Sequence, residues 1–472
     1  MLRRLSLVLC CVAGILAAPV LAEQAGTAPP TPAPAPAPAP ARLSVPYTMF
    51  KLPNGLTVIL HEDHSVPQVA VNVWYHVGSS REKPGRTGFA HLFEHLMFEG
   101  SGHVKEGLFD SLLEAAGATN NGSTNEDRTN YYELLPSNAL DLALYLESDR
   151  MGYLLDVVTP QMVDSQRDVV KNERRQSVEN TPYGMAYVRI NELLFPKDHP
   201  YHWPVIGYMD DLSAATHEDV VDFFKKYYAP GNASLVIAGD FNAADVRGRV
   251  ERWFSDVKAG APVEPLKVPA AELTGVVKET LTDRVQLPRL FLVWLTPGHF
   301  MPGDAELDVL GGVLSGGKNS RLYKRLVYEL QAAQSVNAAQ YSSQHASMFV
   351  IDVTARPSND PPAQTLARLA GIVDEELEKL RNAAPDAREL DRVKNSIESS
   401  FIGNMETVAG KADLMNSYYF ATGNPDYFAE DFGRYQSIDP TDVQAAIRRW
   451  LPAGKRLELS VVPAPAAAGG AQ

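Results

Sequence analysis

Cysteine is nearly absent from this chain: Cys10 and Cys11 are the only two in 472 residues. Both fall in the first apolar stretch, so a chain processed beyond it has neither a disulfide framework nor a thiolate metal ligand. No cysteine stands just after that stretch, which argues against a lipid anchor. Long hydrophobic runs are missing too. The segment from Leu5 to Ala18 is too short and wrongly flanked to span a bilayer, and nothing else approaches the ~20 consecutive apolar residues that a span requires. Positive charge is in deficit, with 43 Lys and Arg against 57 Asp and Glu and a formal net charge of −14. Nucleic acid is therefore not an expected partner.

What the N-terminus does hold is a targeting pattern. Met1-Leu2-Arg3-Arg4, the apolar run and the small-residue end Val20-Leu21-Ala22 read as a signal peptide over 1–22. Export to the periplasm or beyond is the expectation. Residues 23–42 form a Pro/Ala-rich linker whose composition favours a solvated, semi-extended spacer. The remainder, 45% hydrophobic and 21% charged over the whole chain, is ordinary globular sequence, long enough for two domains with their own cores.

The remainder also repeats itself. Thr216-His217-Glu218-Asp219-Val220, followed by Pro230-Gly231-Asn232 and the apolar run Leu235-Val236-Ile237-Ala238, is echoed by Pro440-Thr441-Asp442-Val443, Pro452-Ala453-Gly454 and Leu457 to Val462. Upstream, the strand-like runs Pro67 to Trp74 and Pro288 to Trp294 each lead into a helix and then a Gly-containing turn. The expected fold is α+β: two homologous domains, 43–257 and 272–465, joined by a linker at 258–271, with a disordered tail at 466–472. Each domain is expected to be a mostly antiparallel sheet with helices packed on one face. Asn54-Gly55, between two short apolar runs, is a hairpin signal that opens the first sheet.

The chemistry concentrates in His91-Leu92-Phe93-Glu94-His95. On a helix His91 and His95 are i,i+4 neighbours, close enough to share one Zn²⁺ through ring nitrogens, and Glu94 projects beside them. H-x-x-E-H is the inverzincin order. Taken alone, the turn is equally compatible with a solvated surface helix, so a third ligand matters. The predicted helix from Pro160 to Val178 offers Glu173, on one face with Gln166, Val169 and Val170, while Lys171, Arg174 and Arg175 are expected to reach solvent. Pairing of Glu173 with a neighbouring Arg is the competing reading. In the second half Leu307, Leu310 and Gly311 stand in rough register with His91, Glu94 and His95, so the metal motif belongs to one copy only.

His91-x-x-Glu94-His95 with Glu173 inside Asn172-Glu173-Arg174-Arg175 resembles the pitrilysin and insulysin family of zinc peptidases, to which mitochondrial processing peptidase belongs. The similarity runs from Leu52-Pro53-Asn54-Gly55-Leu56 through Tyr227-Tyr228-Ala229-Pro230-Gly231-Asn232 to Ser320-Arg321-Leu322-Tyr323, and fits the short two-domain bacterial branch. The resemblance implies one Zn²⁺ per chain on His91, His95 and Glu173, with Glu94 as general base. It implies an edge strand at Asn120 to Asn125 that pairs with substrate backbone, with Asn121 and Gly122 carried over as substrate-binding positions. A further implication is a clamshell of two such two-domain units around a chamber that admits peptides and unfolded segments.

Two positions depart from the family pattern. Gln166 stands where an acidic residue is common, seven positions before the third ligand. Val327 and Gln334 stand where active members present an Arg and a Tyr from the second half. A chain of this kind is expected to pair with a zinc-less sister chain that supplies them, or with itself. The leading expectation is a zinc endopeptidase acting on peptides in the cell envelope. A non-catalytic scaffold or peptide-binding subunit on the same fold is the alternative, and a zinc amidase acting on cell-wall or small substrates is a third.

Overall fold

Asn54 and Gly55 turn the chain between β1 (Thr48–Lys51) and β2 (Thr57–Glu62), which pair antiparallel from Lys51↔Thr57 to Thr48↔Leu60. Gly55 adopts φ +97°, and a Cβ there would lie 2.9 Å from Gly231 Cα. The Asn54 amide donates to the carbonyls of Phe254 (2.7 Å) and Val257 (3.0 Å), fixing the hairpin to a helix end two hundred residues on. The computed structural model describes residues 43–465; the expected signal peptide, the 23–42 linker and the 466–472 tail lie outside the described residues.

β1 and β2 join β3 (Gln68–Tyr75), β4 (Thr119–Thr124), β5 (Thr129–Pro136) and β6 (Ala233–Gly239) in a sheet of order β1-β2-β6-β3-β5-β4. A second sheet contains β7 (Val276–Asp283), β8 (Arg289–Thr296), β9 (Ala333–Tyr341), β10 (Ser347–Ala355) and β11 (Arg456–Pro463), ordered β7-β11-β8-β10-β9. The repeat is visible in this order. Each sheet has one parallel pair, β2 with β6 and β7 with β11, and is otherwise antiparallel. In each, the last strand in sequence enters the middle of the sheet and the two-strand hairpin lies at one side. Residues 258–271 carry neither helix nor strand.

The helices of the first half are α1 (Phe89–Leu96), α2 (Leu108–Ala115), α3 (Leu140–Tyr153), α4 (Pro160–Arg174), α5 (Gly184–Leu194), α6 (Met209–Ala214), α7 (His217–Tyr227) and α8 (Ala243–Phe254). Those of the second half are α9 (Asp304–Ser315), α10 (Pro362–Asn382), α11 (Ala387–Met405), α12 (Val408–Thr422), α13 (Phe428–Ser437) and α14 (Pro440–Trp450). α7 and α14, which precede the two central strands, start with the same device: Thr216 with Asp219, and Asp439 with Asp442, close reciprocal capping boxes.

Alternation along the strands gives each sheet two apolar faces. Leu60, Val71 and Ile237 face a core made with Leu92 of α1, Leu144 of α3 and Phe224 of α7. Leu292, Trp294 and Ile351 do the same with α9, α10 and α14. These are each half's own helices, on one face as expected. The second face of each sheet is covered by a helix of the other half. Ile59, Ala70 and Val236 pack on Met415 and Tyr418 of α12, while Phe291, Val293 and Leu459 pack on Ala186 and Ile190 of α5. Polar contacts fix the exchange: Asn416 donates to Asn72 O at 2.9 Å and accepts from Ser234 at 2.7 Å. Residues 43–465 accordingly belong to a single contact unit.

Candidate metal centre

α1 is short, and its start is enforced from outside. Gly88 enters it at φ +87°, where a Cβ would lie 2.8 Å from Ile206 O. The buried Glu82 carboxylate accepts the N–H groups of Gly88 (2.9 Å) and Ala90 (2.8 Å), two of the donors a helix N-terminus leaves unpaired. Burial pushes Glu82 up to about 8 against the pull of those N–H groups. At the other end Tyr131 OH donates to Phe93 O at 3.2 Å. With Phe89, Leu92, Phe93 and Leu96 held in the core, the opposite face of the helix must carry His91, Glu94 and His95.

α4 runs against that face, and its buried positions are Val163, Gln166, Val170 and Arg174. Two details differ from the helical-face expectation. Val169 is 44% exposed, and Arg174 is buried, donating to Gly207 O at 2.6 Å and pairing with Glu179 at 3.2 Å. The buried face runs from Val163 through Gln166 and Val170 to Arg174, whose guanidinium finds a backbone acceptor in the neighbouring loop. Glu173 is directed at α1 rather than at an Arg.

Glu173 Oε2 lies 3.2 Å from His95 Nε2 and 3.6 Å from His91 Nε2. The two rings stand edge to face with centroids 4.9 Å apart. All three ligand atoms lie within 4.8 Å of one another. Four ligands at 2.0–2.2 Å around tetrahedral zinc are separated by roughly 3.3 Å. The observed N···O spacings match that edge, so two imidazoles and one carboxylate fit a three-ligand zinc site with one open position. Burial lowers the His91 pKa, and the hydrogen bond to His95 holds the Glu173 carboxyl below its ordinary value. Neutral imidazole and ionised carboxylate are the ligating forms.

Glu94 stands outside this cluster. β4, the outermost strand of its sheet, passes beside it: a Cβ on Gly122 would lie 3.1 Å from Glu94 Cγ. Thr124 Oγ1 donates to Glu94 Oε2 at 2.7 Å. Asn121 is exposed, and its side-chain oxygen accepts the Gly122 N–H at 2.8 Å, so that N–H is not engaged with β5. Thr124 and Glu82 escaped the sequence reading. Period-two alternation from Gly122 would have pointed to Thr124; nothing local signals Glu82.

Gln166 donates to Glu99 Oε1 at 2.6 Å, so a carboxylate still stands at that flank of the site, supplied from beyond the end of α1. In the second half α9 occupies the place of α1, and a Cβ on Gly311 would lie 2.9 Å from Ala338 O of β9. Helix and edge strand close on each other there. Val327 is partly buried against the second core, and Gln334 is exposed on β9. Arg321 is taken up by Glu389 in a two-pronged pair at 2.7 Å, and Arg325 pairs with Glu329 at 3.4 Å.

The sequence model of the family described as insulinase (peptidase family M16) matches residues 57–190, and that described as peptidase M16 inactive domain matches residues 214–397. The zinc protease PqqE of Helicobacter pylori is 32% identical over 377 residues, covering 78% of this chain and 82% of that protein. The probable mitochondrial-processing peptidase subunit beta of Arabidopsis thaliana is 24% identical over 427 residues, covering 87% of this chain and 77% of that one. Among solved structures, a protease from Helicobacter pylori aligns at TM-score 0.82 and 27% identity over 89% of this chain and 100% of that one. The first half of the periplasmic protease PqqL from Escherichia coli aligns at 0.70 and 19% identity over 89% and 93%, a likeness of fold. Among the described residues no helix is long and apolar enough to cross a membrane.

Proposed function

We propose, since this chain belongs to the M16 family of peptidases, that it is a zinc-dependent endopeptidase cutting peptides or unfolded segments in the cell envelope. The observation that carries the reading is the convergence of His91 Nε2 and His95 Nε2 on one Glu173 oxygen, with Glu94 one residue away and outside the ligand set. One Zn²⁺ held by these three residues would supply Lewis-acid polarisation of the scissile carbonyl and lower the pKa of water toward about 7. Glu94 supplies the base. Its Oε2 is occupied by Thr124, leaving Oε1 to take the proton of the attacking water and return it to the leaving amine. The outer edge of β4, at Asn121 and Gly122, receives an extended peptide through backbone hydrogen bonds once a substrate carbonyl replaces the Asn121 side-chain oxygen on the Gly122 N–H, a mode that reads shape more than sequence. The targeting pattern at 1–22 supports a site of action outside the cytoplasm.

The zinc-bearing domain spans 43–257, and the second, 272–465, covers the other face of its sheet through α12. Val327 has no donor for a peptide carbonyl, and Gln334 offers only a neutral amide where the family pattern has Tyr. The working enzyme is therefore a heterodimer with a zinc-less sister chain, or failing that a homodimer.

Zinc analysis together with a quenched-peptide assay tests the reading. The chain should bind one zinc and cleave unstructured peptides, weakly alone and strongly with its partner. Glu94→Gln should keep zinc and lose at least about 10²-fold in rate. Wild-type protein that takes up no zinc would favour a non-catalytic scaffold, as the match of residues 214–397 to a model described as an inactive domain also allows.

A further inference from the structure

We propose that Thr124 is a positioning residue for Glu94, and that it makes the substrate-docking strand and the catalytic base one mechanical unit. This rests on the reading of Glu94 as base. Alternation along β4 turns positions 122 and 124 toward α1. Gly122 leaves room for the Glu94 methylenes, with 3.1 Å from its would-be Cβ to Glu94 Cγ, and Thr124 sits at 2.7 Å from Glu94 Oε2.

The direction of that hydrogen bond follows from its neighbours. Thr129 gives its own proton to Val77 O at 2.9 Å and is approached by Tyr228 OH at 3.4 Å. It can only accept from Thr124, and at 3.5 Å does so poorly. The Thr124 proton therefore goes to the carboxylate, at a spacing typical of a charge-assisted O–H···O⁻ bond. Among the described residues it is the one side-chain hydrogen bond that Glu94 receives. A glutamate has three side-chain torsions; with Oε2 tethered and Cγ resting on Gly122, Oε1 keeps a single direction. A peptide that seats on the outer edge of β4 acts on the same strand that holds the base. Misplacement of a reacting group by about 1 Å costs as much as 10²-fold in rate.

Thr124→Val keeps the shape of the side chain and its β-branching while removing the donor; Thr124→Ser keeps the donor. Assayed in the full chain with zinc, and with its partner if one co-purifies, Thr124→Val is expected to retain zinc content and KM within about twofold and to lose about 10-fold to 10²-fold in kcat. Thr124→Ser should recover most of the loss. Crystal structures supply a readout apart from activity: Glu94 should occupy one side-chain conformer in the wild type and in Thr124→Ser, and spread over several in Thr124→Val. An unchanged kcat in Thr124→Val, or a single undisturbed Glu94 conformer in its structure, overturns the proposal, as does a kcat loss that comes with zinc loss and is not rescued by Ser. Cleavage by Glu94→Gln at wild-type rate would instead remove the base reading and overturn Thr124's catalytic role with it, even if the crystal structures bore out its hold on Glu94.

Discussion

Replacing Arg150 by Met should cost the fold about 3–5 kcal/mol, the range found when one partner is removed from a buried ion group. Arg150 lies on α3 with its guanidinium fully enclosed. It donates to Glu147 Oε2 at 2.8 Å through Nε, to Glu147 Oε1 through Nη2, and to Glu133 Oε1 at 3.0 Å. The rings of Tyr131 and Phe109 stack on it with centroids at 4.3 and 4.4 Å. One cation faces two carboxylates. Burial, and then the nearby Glu147, push the Glu133 carboxyl well above the ordinary range, toward its protonated form. Methionine would leave two buried carboxyl groups without the cation they share. Glu133→Gln, by contrast, imitates the protonated acid that burial favours and should cost no more than about 1 kcal/mol. The cluster lies beneath the metal helix, to which Tyr131 is bonded through Phe93 O, so zinc affinity should fall in the Arg150 variant and hold in the Glu133 variant. The pH dependence has a definite sign. A native pKa raised above the unfolded value near 4.5 gives stability that is complete below that value and lost as pH rises toward the native one. The stability of wild type relative to Glu133→Gln should therefore decline from about pH 4.5 upward. Equilibrium urea unfolding at several pH values measures both effects. An Arg150→Met cost under about 1 kcal/mol, or a Glu133→Gln cost equal to it, would refute the reasoning.

Zinc should raise the melting temperature of the wild type, by the equivalent of about 4 kcal/mol at a thousandfold excess over Kd, and raise that of Glu173→Gln much less; scanning fluorimetry with and without chelator reads this directly. Lys411 of α12 pairs with Asp63 beyond β2, and its hydrogen bond holds the Asp63 carboxyl far below the ordinary value of 3.8. That contribution is present above pH 3.8 and lost as pH falls below it, so Lys411→Met should destabilise at neutral pH and flatten the acid limb of the stability curve. Met415→Ala in α12 should cost about 2–5 kcal/mol because Met415 is fully buried against the first sheet. For the same reason the fragment 43–257 alone should aggregate in light scattering.

Much of this molecule was legible in one dimension because its signals are local. His91, Glu94 and His95 share one helical turn, so their grouping needs only helix geometry. The Asn54-Gly55 turn needs only backbone preference, and the duplicated sheet order needs only two segments of like pattern. Glu173 was reachable through the face of α4, although the same argument misjudged Val169 and Arg174. A helical wheel gives spacing, but not that the loop carbonyl of Gly207 takes up Arg174. Thr124 lies thirty positions from the Glu94 it touches, and the Glu82 cap lies in an irregular loop with no period to betray it.

The sequence by itself determined which residues can bind a metal, that one half carries them and that the second copy does not, since ligand chemistry and repetition are properties of the residues in order. Tertiary structure alone decided that α5 and α12 change places to close the opposite sheets, that Arg321 is spent on Glu389, and that an edge strand grips Glu94. Those outcomes depend on which apolar face meets which, and on single hydrogen bonds across long intervals. An amphipathic helix states that it must be covered; only packing states by what.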